Sequence, residues 1–161
     1  MTTQCNVTTG RAIVLMMSLD DGATYKVLGG VQQRDITTDD PSSDVTNSAT
    51  SGNYAENEAN GYKTVTLSAS GVIDNRVDAD LYSTWEAFKA FYDAGCCGKI
   101  PFKAVEYDCD GNETGRYSME GNYHVNNVGL SAEQQGKASW TLSAVSSGNV
   151  SFAIAPPQPT P

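Results

Sequence analysis

The segment Gly61-Tyr62-Lys63-Thr64-Val65-Thr66-Leu67-Ser68-Ala69-Ser70-Gly71-Val72-Ile73-Asp74 decides the fold class. Val65, Leu67, Ala69 and Ile73 alternate with Thr64, Thr66, Ser68 and Ser70, which is the two-residue period of a strand with one buried face. The other face carries no charge from Thr64 to Ile73. A solvent-exposed strand usually protects itself from edge pairing with Lys or Glu. Gly136–Val145 repeats the pattern, with Ala138, Trp140, Leu142 and Ala144 set against Ser139, Thr141 and Ser143. Two such strands make sense when neighbouring subunits keep their edges occupied.

Around these two strands the remaining elements are shorter. Ala12–Ser18 runs into the turn signal Asp20-Asp21-Gly22, and Thr24–Leu28 is the expected return strand. Val31–Thr37 follows Gly29-Gly30 as a third strand. Lys99–Tyr107 and Gly115–Val128 form an expected hairpin around Asp108–Thr114, and Val150–Ile154 is a short last strand. One helix is predicted over Asp78–Ala94, where Leu81, Trp85, Phe88 and Phe91/Tyr92 recur at spacings of three and four and Gly95 supplies the stop. Asp74, Asp78 and Asp80 are expected to cap that helix and offset its dipole. Residues 1–10 read as an N-terminal arm, 11–154 as one β-domain and 155–161 as a proline-rich extended tail. Inside the domain, Thr38–Asn60 is a polar stretch of 23 residues with a single expected β-element at Asp44–Asn47. Loops beyond about 12–15 residues are usually functional or disordered. This one has too little apolar content to fold without a partner.

Composition narrows the function. Ser, Thr, Asn and Gly make up 56 of 161 residues, so the polarity lies in small neutral side chains, as in a turn-rich β-protein. Ten Lys and Arg against 19 Asp and Glu leave a net charge of −9. That balance argues against tight nucleic-acid binding, which clustered Lys and Arg dominate. The longest apolar run, Ala12–Met17, has six residues, against about 20 for a spanning helix, and no membrane partner is expected.

No catalytic, cofactor or metal site is expected. Asp108-Cys109-Asp110-Gly111-Asn112 resembles a calcium loop, but Glu113 stands where such a loop needs Gly and Met119 where it needs Glu. It reads better as a polar hairpin tip. His124 is the only histidine and sits mid-strand among Asn122, Asn126 and Asn127, with no Gly-x-Ser-x-Gly elbow in the chain. The cysteines Cys5, Cys96, Cys97 and Cys109 form no Cys-x-x-Cys pair, and one histidine cannot complete a zinc set. The Asp20/Asp21 and Asp39/Asp40 pairs lie in turn contexts, where Asp bonds its own backbone.

The order of elements resembles the major tail tube proteins of tailed bacteriophages. The resemblance spans residues 11–153 and is carried by "DVTNSATSG" (Asp44–Gly52), "VTLSASGVID" (Val65–Asp74) and "ASWTLSAVSSG" (Ala138–Gly148). The Cys96-Cys97 pair and the proline tail depart from that pattern. The resemblance implies a mainly β fold, a β-sandwich or split barrel with one flanking α-helix, six subunits closing a continuous β-barrel ring. It implies a structural subunit of a virion tail, made in the host cytoplasm, whose stacked hexameric rings conduct DNA in transient, non-specific passage. The partners it implies are further copies of the chain and the sheath, tape-measure and tail-terminator proteins. Under it, Thr64, Thr66, Ser68, Ser70, Ser139, Thr141 and Ser143 are expected to line the lumen or a subunit seam. Asp44, Val45, Thr46, Asn47 and Tyr54, in the long loop, are expected to reach a neighbouring subunit or ring.

All four cysteines fall in loop contexts, whereas a structural free thiol is usually buried. They are either reduced thiols or, with Cys5 or Cys109 bonded to Cys96 or Cys97, disulfides between subunits formed in an oxidising environment. A carbohydrate- or surface-binding β-sandwich of a phage or bacterial appendage is the alternative reading, and it requires a cluster of exposed aromatics on one face.

Overall fold

The computed structural model describes residues 12–44, 57–59, 61–95 and 98–156. In chain order the strands are β1 (Ile13–Met17), β2 (Lys26–Leu28), β3 (Val31–Asp39), β4 (Ser42–Asp44), β5 (Asn57–Ala59), β6 (Thr64–Val72) and β7 (Leu81–Tyr82). The helix α1 (Thr84–Ala94) follows, then β8 (Ile100–Tyr107), β9 (Glu113–Ser131) and β10 (Ser139–Ile154). Eight strands make one sheet in the order β3-β6-β10-β9-β8-β1-β2-β7, and β4 pairs with β5 separately. Every pairing is antiparallel except β2 with β7. The sheet curls into a half-barrel with the helix as its one α-element, so the fold is mainly β, as expected.

The core lies on the face made by the apolar alternates. β6 alternates half-buried and buried at every residue, with Val65, Leu67 and Ala69 buried. Trp140, Leu142 and Ala144 join them from β10, Met119 and Tyr123 from β9, and Phe102 from β8. The aromatic side chains meet in a chain of contacts. Phe88 on α1 is edge-on to Trp140 at 6.4 Å, Phe91 stacks on Phe102 at 6.3 Å, and Phe102 is edge-on to Tyr123 at 5.8 Å. Such contacts add to simple area burial and fix where the helix crosses the sheet. The buried polar ends are paired: Trp140 Nε1 donates to the Val72 carbonyl at 2.9 Å, and Tyr123 OH to the Met119 sulfur at 3.0 Å.

Four expectations need revision. The helix begins at Thr84 rather than Asp78, because Ser83 caps it: its hydroxyl accepts from Glu86 N while the Glu86 carboxylate accepts from Ser83 N. Leu81 therefore belongs to β7, and Trp85, 48% exposed, lies outside the buried stripe Ala87, Phe88 and Phe91. None of the Asp74, Asp78 and Asp80 side chains caps the helix, although the Asp74 carbonyl accepts from Thr84 N at 2.9 Å. Asp74 instead holds Arg76 at 2.6 Å, which keeps its carboxyl below the usual range, and Asp78 accepts from Asp80 N. The long polar stretch carries the β4–β5 ladder, in which Asp44 lies opposite Asn57, so it holds more than a single β-element, and Val45–Asn47 of the expected element lie outside the described residues. Finally, the two last strands are one: β10 runs from Ser139 through a register shift between Ser146 and Val150, and Gly148 takes φ +100° at the bend.

Candidate subunit seam and polar face

Pairing turns the scattered Ser and Thr residues into one surface. Ser70 lies opposite Thr141 and Ser68 opposite Ser143 across the β6–β10 ladder. Directly opposed residues in an antiparallel pair point to the same face. Across the β10–β9 ladder the rows continue, Thr141 to Gly129, Ser143 to Asn127, Ser139 to Ser131 and Val145 to His124. Across β3–β6 they continue the other way, with Gln33 opposite Ser70, Asp35 opposite Ser68, Thr37 opposite Thr66 and Asp39 opposite Thr64. All seven hydroxyl residues expected at a lumen or seam, Thr64, Thr66, Ser68, Ser70, Ser139, Thr141 and Ser143, thus stand on one continuous face opposite the core. None of them is buried, and Thr141 is exposed.

The face has a definite charge character. Over the rows from Thr64 to Val72, its strand positions carry two carboxylates, Asp35 and Asp39, and no Lys or Arg. Gln33 Nε2 donates to Asp35 Oδ2 at 3.1 Å along the face. Arg34, the basic residue of β3, is opposite Ala69 on the core side, where burial pulls its pKa down. Thr141 leans over Gly129 so closely that a Cβ there would meet its hydroxyl at 2.6 Å. His124 directs Nδ1 toward the Gly98 carbonyl at 3.3 Å.

The same four strands, β3-β6-β10-β9, are level with one another, and over these rows no further strand pairs with either outer side among the described residues. β3 ends the sheet. At the other side the β8 ladder stops at Ile100 opposite Tyr123, so among the described residues His124–Ser131 pair only with β10. Both outer edges span the rows from Val31–Gly71–Trp140–Leu130 to Thr37–Thr66–Val145–His124.

Sequence reasoning missed Gln33, Asp35, Thr37 and Asp39 as members of this face. The alternation within "VQQRDITTD" is too weak to mark a face, and only the pairing with β6 reveals it. Of the expected loop residues, Asp44 is exposed at the end of β4, whereas Val45, Thr46, Asn47 and Tyr54 lie outside the described residues. Cys5, Cys96 and Cys97 also lie outside them, and Cys109 is exposed and disulfide-bonded. Among the described residues no group of His, Cys, Asp and Glu could hold a metal ion. The Asp108 carboxylate is taken up by the backbone N–H groups of Asp110 and Asn112 within its own turn.

A curled, mostly antiparallel half-barrel with one helix and a lane without Lys or Arg between two level strand edges is the architecture of a self-assembling structural protein. The sequence pattern of the phage tail tube protein family matches residues 7–152, and the chain belongs to that family. It is a structural tail tube subunit, part of a virion tail. Solved structures agree in fold. One is a chain from the tail of an empty gene transfer agent particle refined with C6 symmetry, at TM-score 0.69 and 20% identity, covering 91% of this chain and 98% of that one. The SPP1 tail tube, solved by solid-state NMR and cryo-EM, matches at TM-score 0.65 and 13% identity over 92% of this chain and 80% of that one. The tube-terminating cap of the anti-feeding prophage matches at TM-score 0.57 and 10% identity, over 96% and 95%. No curated protein sequence matches the chain. The sugar-binding alternative is not favoured. The exposed aromatics Tyr62, Trp85, Tyr92 and Phe152 sit on a loop, the helix and β10.

Proposed function

We propose that six copies close a ring by pairing β3 of one subunit with the His124–Ser131 edge of β9 in the next. The observation that carries this is the level pair of outer edges on a four-stranded unit, neither paired with a further strand among the described residues. Because the four strands alternate in direction, the descending β9 of one copy meets the ascending β3 of the next, and the seam is antiparallel like every ladder inside the unit. Six such units at about 4.8 Å per strand give a barrel about 37 Å across before tilt, and side chains leave about 25 Å clear. That width admits one DNA duplex.

In this reading the hydroxyl face lines the lumen. Hydroxyl groups and sparse carboxylates offer phosphates no counter-charge, so passage is transient and non-specific; each Lys or Arg there would add a sticking point. The Thr38–Asn60 extension, with Asp44, Val45, Thr46, Asn47 and Tyr54, leaves the unit at the Asp39/Thr64 end of β3 and β6 and would contact an adjacent subunit or the next ring. The finer partners follow from tube assembly: sheath, tape-measure and tail-terminator proteins. The protein would act without cofactor and without catalysis. Electron microscopy of the purified protein tests the reading. Six-fold rings or stacked tubes support it, and monodisperse monomers at every concentration would overturn it.

A further inference from the structure

The core is covered on one side and open on the other. Toward the β9 edge, α1 covers it, with Phe88 edge-on to Trp140 and Phe91 stacked on Phe102. Toward β3, no helix lies over it among the described residues. There the curl brings β3 round toward β1 and β2, and a trough of about 1290 Å³ remains between them. Ile13, Leu15 and Leu28 line one wall, Val31 and Ile36 the other, and Tyr117 joins them. A second hollow of about 650 Å³ shares Ile36 and Tyr117 and reaches Phe152 and Ile154. Packed interiors hold few voids larger than a water molecule, so an apolar hollow of this size marks surface that a partner covers.

The opposite end of the four-stranded unit carries a matching strip. On β9, Val125, Val128 and Leu130 stand on the core face, opposite Ala144, Leu142 and Trp140. Val125 and Val128 are half-buried, and Leu130 is 53% exposed. The three are level with Ile36, Arg34 and Val31 on the core face of β3. Strip and trough belong to the two outer strands of the unit, so one subunit cannot join its own. A head-to-tail contact between copies joins both and, repeated, closes a ring. A strand seam alone would be small for that task. β3 brings nine residues to it, whereas a stable interface engages about 20–30 residues a side.

We propose that the trough is a socket for a second copy of this chain: resting on the ring reading above, the Val125–Val128–Leu130 strip of one subunit covers the trough beneath β3 of the next. The apolar layer under the hydroxyl face then continues across the seam and keeps water from its backbone hydrogen bonds. Cross-strand neighbours share a face, and a register shift of two residues leaves core face against core face, so the match survives strand tilt.

A photoreactive benzoylphenylalanine in place of Leu130 tests the contact. Rings are assembled from an equal mixture of unlabelled and nitrogen-15-labelled chains of this variant, irradiated and digested with trypsin. Cuts after Lys26, Arg34, Lys63, Arg116 and Lys137 put position 130 in peptide 117–137 and β3 in peptides 27–34 and 35–63. Mass spectrometry should find 117–137 linked to 27–34 or 35–63, with mixed-label and same-label links in equal amount. Leu130→Asp should leave the thermal midpoint of the unassembled subunit unchanged, yet raise the concentration needed for ring formation by about tenfold or more. Leu130→Ile should assemble as the wild type does. Wild-type rings combined with unimpaired assembly of Leu130→Asp, with same-label links alone, or with links confined to other peptides, would overturn the socket and leave the ring standing. Absence of rings from the wild type would overturn both.

Discussion

Leu67 and Ser68 are neighbours on β6, yet they stand on opposite faces and their replacement has opposite consequences. Leu67 is fully buried in the row Ile36–Leu67–Ala144–Val125. Leu67→Ala removes buried carbon and leaves a cavity whose rigid walls close only in part, at a cost of about 3–5 kcal/mol. For a chain of this size each kcal/mol lowers the thermal midpoint by about 2–4 °C, so a fall on the order of 10 °C is expected. Ser68 stands on the other face, opposite Asp35 and Ser143. Ser68→Ala removes a hydroxyl from a half-buried polar face and should change the stability of the unassembled subunit by less than about 0.5 kcal/mol. Chemical denaturation of the unassembled protein measures both, with an unchanged denaturant slope confirming that each variant unfolds as one unit. Equal losses for the two variants, or a larger loss for Ser68→Ala, would refute the division of β6 into core and polar faces.

Three further outcomes are expected. Arg116 donates to the buried carboxylate of Glu106 at 3.1 Å, so Arg116→Met should cost about 3–5 kcal/mol in denaturation, whereas breaking the Arg76–Asp74 pair, whose arginine is solvent-exposed, by Arg76→Met should cost under about 1 kcal/mol. Burial pushes the Tyr123 phenol up to about 12 from an ordinary value of 10.0. The neutral form is thus favoured by folding, and this contribution is complete below pH 10 and lost as pH rises toward about 12. Alkaline unfolding followed with tyrosinate absorbance should show Tyr123→Phe losing less stability than wild type across that window. Ser143→Lys should leave the subunit folded and rings forming, yet slow DNA release from particles at low salt and recover with added salt; unchanged release at every salt concentration would count against a lumenal Ser143.

The alternation of Val65, Leu67 and Ala69 made β6 legible from sequence, and Trp140 and Leu142 did the same for β10, because a period of two with one apolar face survives without knowledge of partners. The helix start was also legible in principle. Ser83-Thr84-Trp85-Glu86 is a capping-box signature, but the three-four spacing that Leu81 adds to Trp85 and Phe88 masks it. Leu81 is apolar for a different reason: it packs as part of β7 beside β2. The polar face was half legible. Its hydroxyl residues stand out through their lack of charge, but Asp35 and Thr37 join them only through a long-range pairing, which local sequence does not encode. Likewise the edge at His124–Ser131 is left by β8 because that strand begins only at Ile100, a fact of register rather than of composition.

A cryo-EM reconstruction of tubes grown from the purified protein tests the central claim most directly. It should show six subunits per ring, an antiparallel seam joining Val31–Asp39 of one subunit to His124–Ser131 of the next, and Ser68, Ser143 and Asp35 facing the axis. Tubes whose lumen is lined by any other face, or whose subunits meet with β3 left unpaired, would contradict it.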